Sequence, residues 1–190
     1  MKTKYLLFIA FFSFSLQSSF AQIRASEFPF WEVSAGIGLL PTFIKDKGEV
    51  ELTPFFITMD YRLSRKFSLG MYVGHTQVKG DFNLQIDGEG ETLRNKFTML
   101  GLRYAIHSDF SDVWDCYGGM NFGYTASRIE VLKGDVEQLK LHHNYKSVSG
   151  KMLISAFLGV KYTPENKRYS LFGEVGYGIS LLSFGFSQRL

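Results

Sequence analysis

From Trp31 almost to its last residue the chain alternates. Trp31, Val33, Ala35, Ile37 and Leu39 share one parity, while Glu32, Ser34, Gly36 and Gly38 share the other. A period of two places these sets on opposite faces of a β-strand. The pattern recurs at about 53–63, 66–77, 96–106, 113–126 and 150–162. The closing stretch divides at a tight reversal near Gly176–Ser180. Leu171, Gly173, Val175 and Tyr177 precede it, and Leu182, Phe184 and Phe186 follow it. An unbroken strand through 169–182 is the alternative for that stretch. With the reversal, eight strands are predicted.

The connections alternate in length. "LSRK", "HSDFSD" and "TPENKR" are short, whereas 40–52, 78–95 and 127–149 are long and carry the turn signals "KDKG", "DGEG" and "KGD". Short and long connections in strict order predict an up-and-down meander whose two ends meet different environments. The final outer connection breaks the rule by being nearly absent.

Two kinds of barrel fit such a meander, one packing its apolar face inward and one turning it outward. The mixed face carries Glu32, Asp60, Arg62, Arg103, Lys161, Glu174 and Arg189, together with most mid-strand glycines and serines. A face in water has no use for so many glycines, which offer nothing to pack. The narrow lumen of an eight-stranded barrel does, because it holds side chains and little else. The opposite face is almost free of charge. In water it would be a far larger apolar belt than a monomer exposes; in lipid it is matched to its solvent. The reading is an all-β, eight-stranded antiparallel up-and-down transmembrane β-barrel, with the seven charged residues forming a structural network in its lumen. Trp31, Tyr61, Tyr104, Trp114 and Tyr162 fall near the end with the short turns, where an interfacial girdle belongs.

The first residues, "MKTKYLLFIAFFSFSLQSSFAQ", pair a basic start with a short apolar run and Ser19-Phe20-Ala21. Residues 1–21 read as a secretory signal peptide and 22–190 as the barrel domain. No Cys stands directly after the predicted cut, as a lipid-anchored lipoprotein would need, and the one Cys of the sequence, Cys116, gives no internal disulfide framework. The formal net charge is +3, of which Lys2 and Lys4 supply two. The remaining balance is near neutral and offers no electrostatic case for nucleic acid.

The segments "DYRLSRKFSLGMYVGH", "MLGLRYAI", "FGEVGYG" and "SFGFSQRL" give the chain its resemblance to the small OmpA/OmpX-like outer-membrane β-barrels of Gram-negative bacteria. It extends over essentially the whole mature chain. It implies an outer-membrane location after export, and contact with outer-membrane lipid and lipopolysaccharide. It also implies an assembly signal in the last strand, matched here by Ser183, Gly185 and Leu190. Gln188 stands where that signal has an apolar residue, and Leu190 replaces its terminal aromatic.

No catalytic, cofactor or metal motif stands out. His142 and His143 are adjacent, point apart in extended chain and have no third ligand at useful spacing. His75 faces outward, but Ser108, Ser111 and Ser127 bear no sequence relation to it that would pair a nucleophile with a base. Cys116 reads as a small apolar residue. The loops 78–95 and 127–149 carry apolar residues on both sides of their turns, as projecting hairpins would, and could engage an extracellular protein. The expected function is a monomeric barrel with a structural or surface-interaction role, adhesin- or receptor-like, without catalysis or cofactor. A small pore and a lipid-modifying enzyme are the alternatives.

Overall fold

The computed structural model describes residues 28–42, 48–82, 91–108, 111, 113–133, 148–165 and 167–190. The predicted signal peptide, the His142–His143 pair and most of the three long-loop turn signals lie outside the described residues.

Eight strands form one closed antiparallel barrel in sequence order. They are β1 (Phe30–Gly38), β2 (Gly48–Arg62), β3 (Phe67–Phe82), β4 (Glu91–His107), β5 (Trp114–Lys133), β6 (Val148–Tyr162), β7 (Tyr169–Gly176) and β8 (Leu182–Arg189). Ring closure pairs β1 with β8, from Glu32 opposite Arg189 to Gly38 opposite Ser183. The alternative of one strand through 169–182 is excluded.

The sequence placed several strand ends too low. β3 continues to Phe82, β4 starts at Glu91, and β5 runs to Lys133. Residues 78–82, 91–95 and 127–133, counted with the long connections, therefore extend the sheet, in line with the projecting hairpins read from the apolar residues on both sides of the turns. The cross-strand register explains why: it runs unbroken from Phe67 opposite Ile106 to Phe82 opposite Glu91. Polar outward residues here do not interrupt the ladder; they only leave the lipid. β2 also begins early, with register shifts between Val50 and Phe55. Pro54 sits in that irregularity, where a missing N–H is tolerated.

The short turns are closed by hydroxyls. Ser64 Oγ accepts from the N–H groups of Lys66 and Phe67 at 3.3 and 3.2 Å. Ser111 Oγ accepts from Val113 and Trp114 at 3.2 and 3.3 Å. Such local bonds satisfy backbone donors that the ladder leaves over.

The outward face is the predicted belt. Ile57, Met71, Leu102, Phe122, Ile154, Val175 and Phe184 are all exposed, Leu102 at 56%. At the short-turn end, Trp31 stacks near Tyr61 with ring centroids 4.7 Å apart, and Trp114 near Tyr162 at 4.9 Å. Among the described residues no helix is long and apolar enough to cross a membrane. The strands cross it.

The fourth outward connection, residues 177–181, which the sequence reduced to almost nothing, folds into the barrel mouth instead. Ile179 is buried against Phe56, Tyr72, Met99 and Phe172. The backbone of Leu181 donates to Leu40 at 2.7 Å, and Leu39 donates to Leu182 at 2.8 Å. Ser180 Oγ lies 2.8 Å from the carbonyl oxygens of Leu40 and Leu182.

Candidate functional site

Two regions carry polar chemistry: the lumen, and the outward face of β2–β5 above the belt.

In the lumen the ions stand in layers. Lys161 Nζ lies 2.6 Å from Glu32 Oε2, and both side chains are buried. Arg103 grips Glu174 with two nitrogens, and its Nε is 3.9 Å from Asp60 Oδ1. Tyr117 donates its hydroxyl to Glu174 at 2.7 Å, and Thr58 donates to Asp60 at 2.8 Å. The Arg103 guanidinium also lies over the Phe157 ring, 3.7 Å from its centroid. Arg62 bonds Asp115 at 2.9 Å. Arg189 stands over the Phe30 ring at 4.7 Å. The seven charged residues singled out from the sequence all face the lumen: Glu32 pairs with Lys161, Arg103 joins Asp60 and Glu174, and Arg62 pairs with Asp115, which lies outside the seven.

Sequence reasoning missed three members. Asp115 is the partner of Arg62, and His107 lies between them, with Nδ1 2.7 Å from Asp115 Oδ2. His107 Nε2 is 2.8 Å from Ser68 Oγ. Arg62 Nη1, a donor only, also lies 2.9 Å from His107 Nδ1; with the proton on Nδ1 directed to Asp115, the neutral ring accepts from the Ser68 hydroxyl at Nε2. This is the order serine–histidine–carboxylate of a nucleophilic triad. It assembles from three strands, and no local spacing announces it. Ser68 is buried, however, and the cavity it lines holds only about 10 Å³, room for a single water. An ester or amide substrate does not fit beside the hydroxyl.

A second cavity of about 20 Å³ lies toward the outer end, lined by Tyr72, Asn121, Ser180 and Ser183 among others. Phe56, Arg103 and Glu174 line both cavities and so form the partition between them. Ile179 and its aromatic neighbours close the outer end. Among the described residues, side chains occupy the lumen between the two cavities and its outer end.

The lumen glycines make room for rings. A Cβ on Gly36 would lie 2.5 Å from the Phe56 ring, one on Gly159 would lie 2.5 Å from Tyr117, and one on Gly185 would lie 2.4 Å from Phe172. Gly70 clears space for an ionic chain instead, since a Cβ there would collide with Asp60 Oδ1, whereas Gly36, Gly159 and Gly185 are each the bed of an aromatic ring.

In the last strand Ser183 is buried on the lumen side, and Leu190 is exposed. Phe184 and Phe186 face the lipid with them on either side. Cys116 is exposed on the outer surface. His75 bonds Thr98 and Gln77, not a serine. Among the described residues no group of three or more His, Cys, Asp or Glu could hold a metal.

The second region lies where β2–β5 rise past the belt. Arg94 forms a two-point pair with Glu51. Lys96 Nζ is 2.6 Å from Glu130. Here the carboxyls are in water: hydrogen bonding from Arg94 holds Glu51, and from Lys96 holds Glu130, below the usual carboxylate range.

No protein-family model and no curated protein sequence matches this chain. Solved structures do. A de novo designed transmembrane β-barrel aligns over 88% of this chain and 100% of its own, at 13% identity and a TM-score of 0.50. The outer membrane protein OprG of Pseudomonas aeruginosa aligns over 85% and 96%, at 10% identity and a TM-score of 0.53. The chain has the fold of the small outer-membrane β-barrels. Neisserial surface protein A aligns over 85% and 97%, at 14% identity and a TM-score of 0.48. At such identities the likeness of these small barrels is one of fold.

Proposed function

We propose that this protein is an integral outer-membrane barrel with a structural or surface-interaction role, without catalysis and without a conducting pore. The sealed lumen carries this reading. The two cavities found among the described residues, of about 10 and 20 Å³, each admit roughly one water. A solute path would have to break the Arg103–Glu174 pair and expel Ile179. The same closure argues against Ser68 as a nucleophile.

The partners proposed are outer-membrane lipid and lipopolysaccharide around the belt, and the outer-membrane assembly machinery through Ser183, Gly185 and Leu190. An extracellular protein ligand would meet the sheet extensions within 78–95 and 127–149. The protein acts as a monomer, reaches the membrane after export and loss of residues 1–21, and requires no cofactor. The lumen charges hold the barrel together rather than bind a ligand.

The test uses one refolded detergent sample. Heat-modifiable gel mobility reports the closed barrel, and planar-bilayer recording reports conduction. The reading expects the mobility shift without discrete channels. Reproducible conductance from the shifted species would refute the sealed lumen. Altered lipid A mass spectra in a deletion strain, restored by the wild type but not by Ser68→Ala, would refute the absence of catalysis.

A further inference from the structure

The outward face of β2–β5 changes chemistry over a few residues, and the order of the change is informative. Cross-strand register sets Leu100 beside Tyr124, both exposed and apolar or aromatic. The next outward row contains Phe55, His75, Thr98 and Ala126. The row above it contains Leu52, Gln77, Lys96 and Arg128. The one above that contains Glu49, Lys79, Arg94 and Glu130. The first ionic row therefore holds cations only, with Lys96 directly opposite Arg128. Glu130 stands one row further from the lipid and reaches back to Lys96, while Glu51, in the irregularity of β2 between the two rows, pairs with Arg94.

Four strand residues separate Leu100 from Lys96, a climb of about 10 Å at the usual rise and tilt. That is the headgroup level, just beyond the hydrocarbon. At the outer mouth on the opposite side the outward residues are Leu39, Tyr177 and Leu181, exposed and uncharged. Among the described residues the ionic band is one-sided. Glu51 and Glu130 orient the cations without neutralising them all, since Lys79, Arg94, Lys96 and Arg128 face Glu49, Glu51 and Glu130. Arg offers a fork and Lys a point charge to phosphate oxygens.

We infer that Lys96 and Arg128, with Lys79 and Arg94 above them, form a binding site for the phosphate groups of a phosphorylated glycolipid of the outer leaflet, lipopolysaccharide. Its acyl chains lie on the belt at Leu100, Phe122 and Tyr124, and its sugar headgroup lies against the raised wall of β3–β5. This rests on the outer-membrane reading proposed above and adds the residues and the headgroup chemistry.

The test reconstitutes the full-length mature protein in phosphatidylcholine nanodiscs and titrates bisphosphorylated lipid A, with co-retained lipid read by mass spectrometry. Removal of two charge-assisted contacts in Lys96→Gln/Arg128→Gln is expected to weaken retention at least about tenfold. Lys96→Arg/Arg128→Lys is expected to retain it, as is Lys66→Gln/Lys167→Gln at the short turns. Wild-type protein with dephosphorylated lipid A should behave like the Gln variant. Equal retention of the phosphorylated and dephosphorylated lipids by the wild type overturns the inference, and so does undiminished retention by the Gln variant. Heat-modifiable mobility of the same samples is a separate readout: its absence in the wild type would count against the barrel itself, not the lipid site.

Discussion

Glu32 and Lys161 meet across the lumen with 2.6 Å between carboxylate and ammonium, although 129 residues separate them in the chain. Neither can reach water, so each is the other's only adequate solvent. Removing one partner strands a buried charge, which in proteins costs about 3–5 kcal/mol. Lys161→Met alone is expected to lower the urea midpoint of the vesicle-inserted barrel substantially. Glu32→Leu/Lys161→Met should recover most of that loss, since a matched apolar pair carries no desolvation penalty. A double variant as unstable as the single one would show that the pair is not the unit.

The glycine beds give a paired test. Gly159→Ala would put a methyl 2.5 Å from the Tyr117 ring, displacing the ring that donates to Glu174. Overpacking of this kind costs about 1–3 kcal/mol. At Gly173 the nearest atom to an added methyl is 3.5 Å away, on Phe184, an ordinary contact. Gly173→Ala is expected to change stability by less than about 0.5 kcal/mol. Equilibrium unfolding of the two variants side by side decides it.

The lipid belt predicts a depth profile. Leu102 is exposed at mid-strand, and Leu102→Arg is expected to cost about 2–4 kcal/mol. Gln77 sits two outward rows above the apolar Val73, so Gln77→Arg should cost no more than about 1 kcal/mol. Equal effects at the two sites, measured by refolding into lipid vesicles, would refute the assigned depth.

Acid should loosen the raised sheet before it opens the barrel. The carboxyls of Glu51 and Glu130 are lowered from an ordinary value of 4.5 by hydrogen bonds from Arg94 and Lys96. A lowered folded-state pKa contributes stability that is present above the unfolded value and lost as pH falls through the folded one. Amide exchange in 92–96 is therefore expected to speed up, relative to belt strands, as pH drops below 4.5, after correction for intrinsic rates. In Glu130→Gln the portion tied to Lys96 should vanish.

Parity carried the sequence a long way. Trp31, Leu102, Phe122 and Phe184 declare their face by their spacing, because lipid on one side and a crowded lumen on the other leave little freedom of register. The seven lumen charges were legible for the same reason. Their partners were not: Ser68, His107 and Asp115 come from β3, β4 and β5, and only the register of two successive hairpins brings them together. Ile179 was hidden for another reason. Residues 177–181 keep an apolar alternation that looks like continuing strand, and their inward fold depends on backbone bonds to Leu39 and Leu40. The glycines were visible, but the aromatic rings resting on them required the register.

The plug at Ile179 also bears on how the cell can use the protein. On the function proposed above, a cylinder stoppered by its own chain adds no leak to the envelope that holds it, and the passage of small toxic molecules then sets no limit on its copy number. Such a molecule can be made abundant.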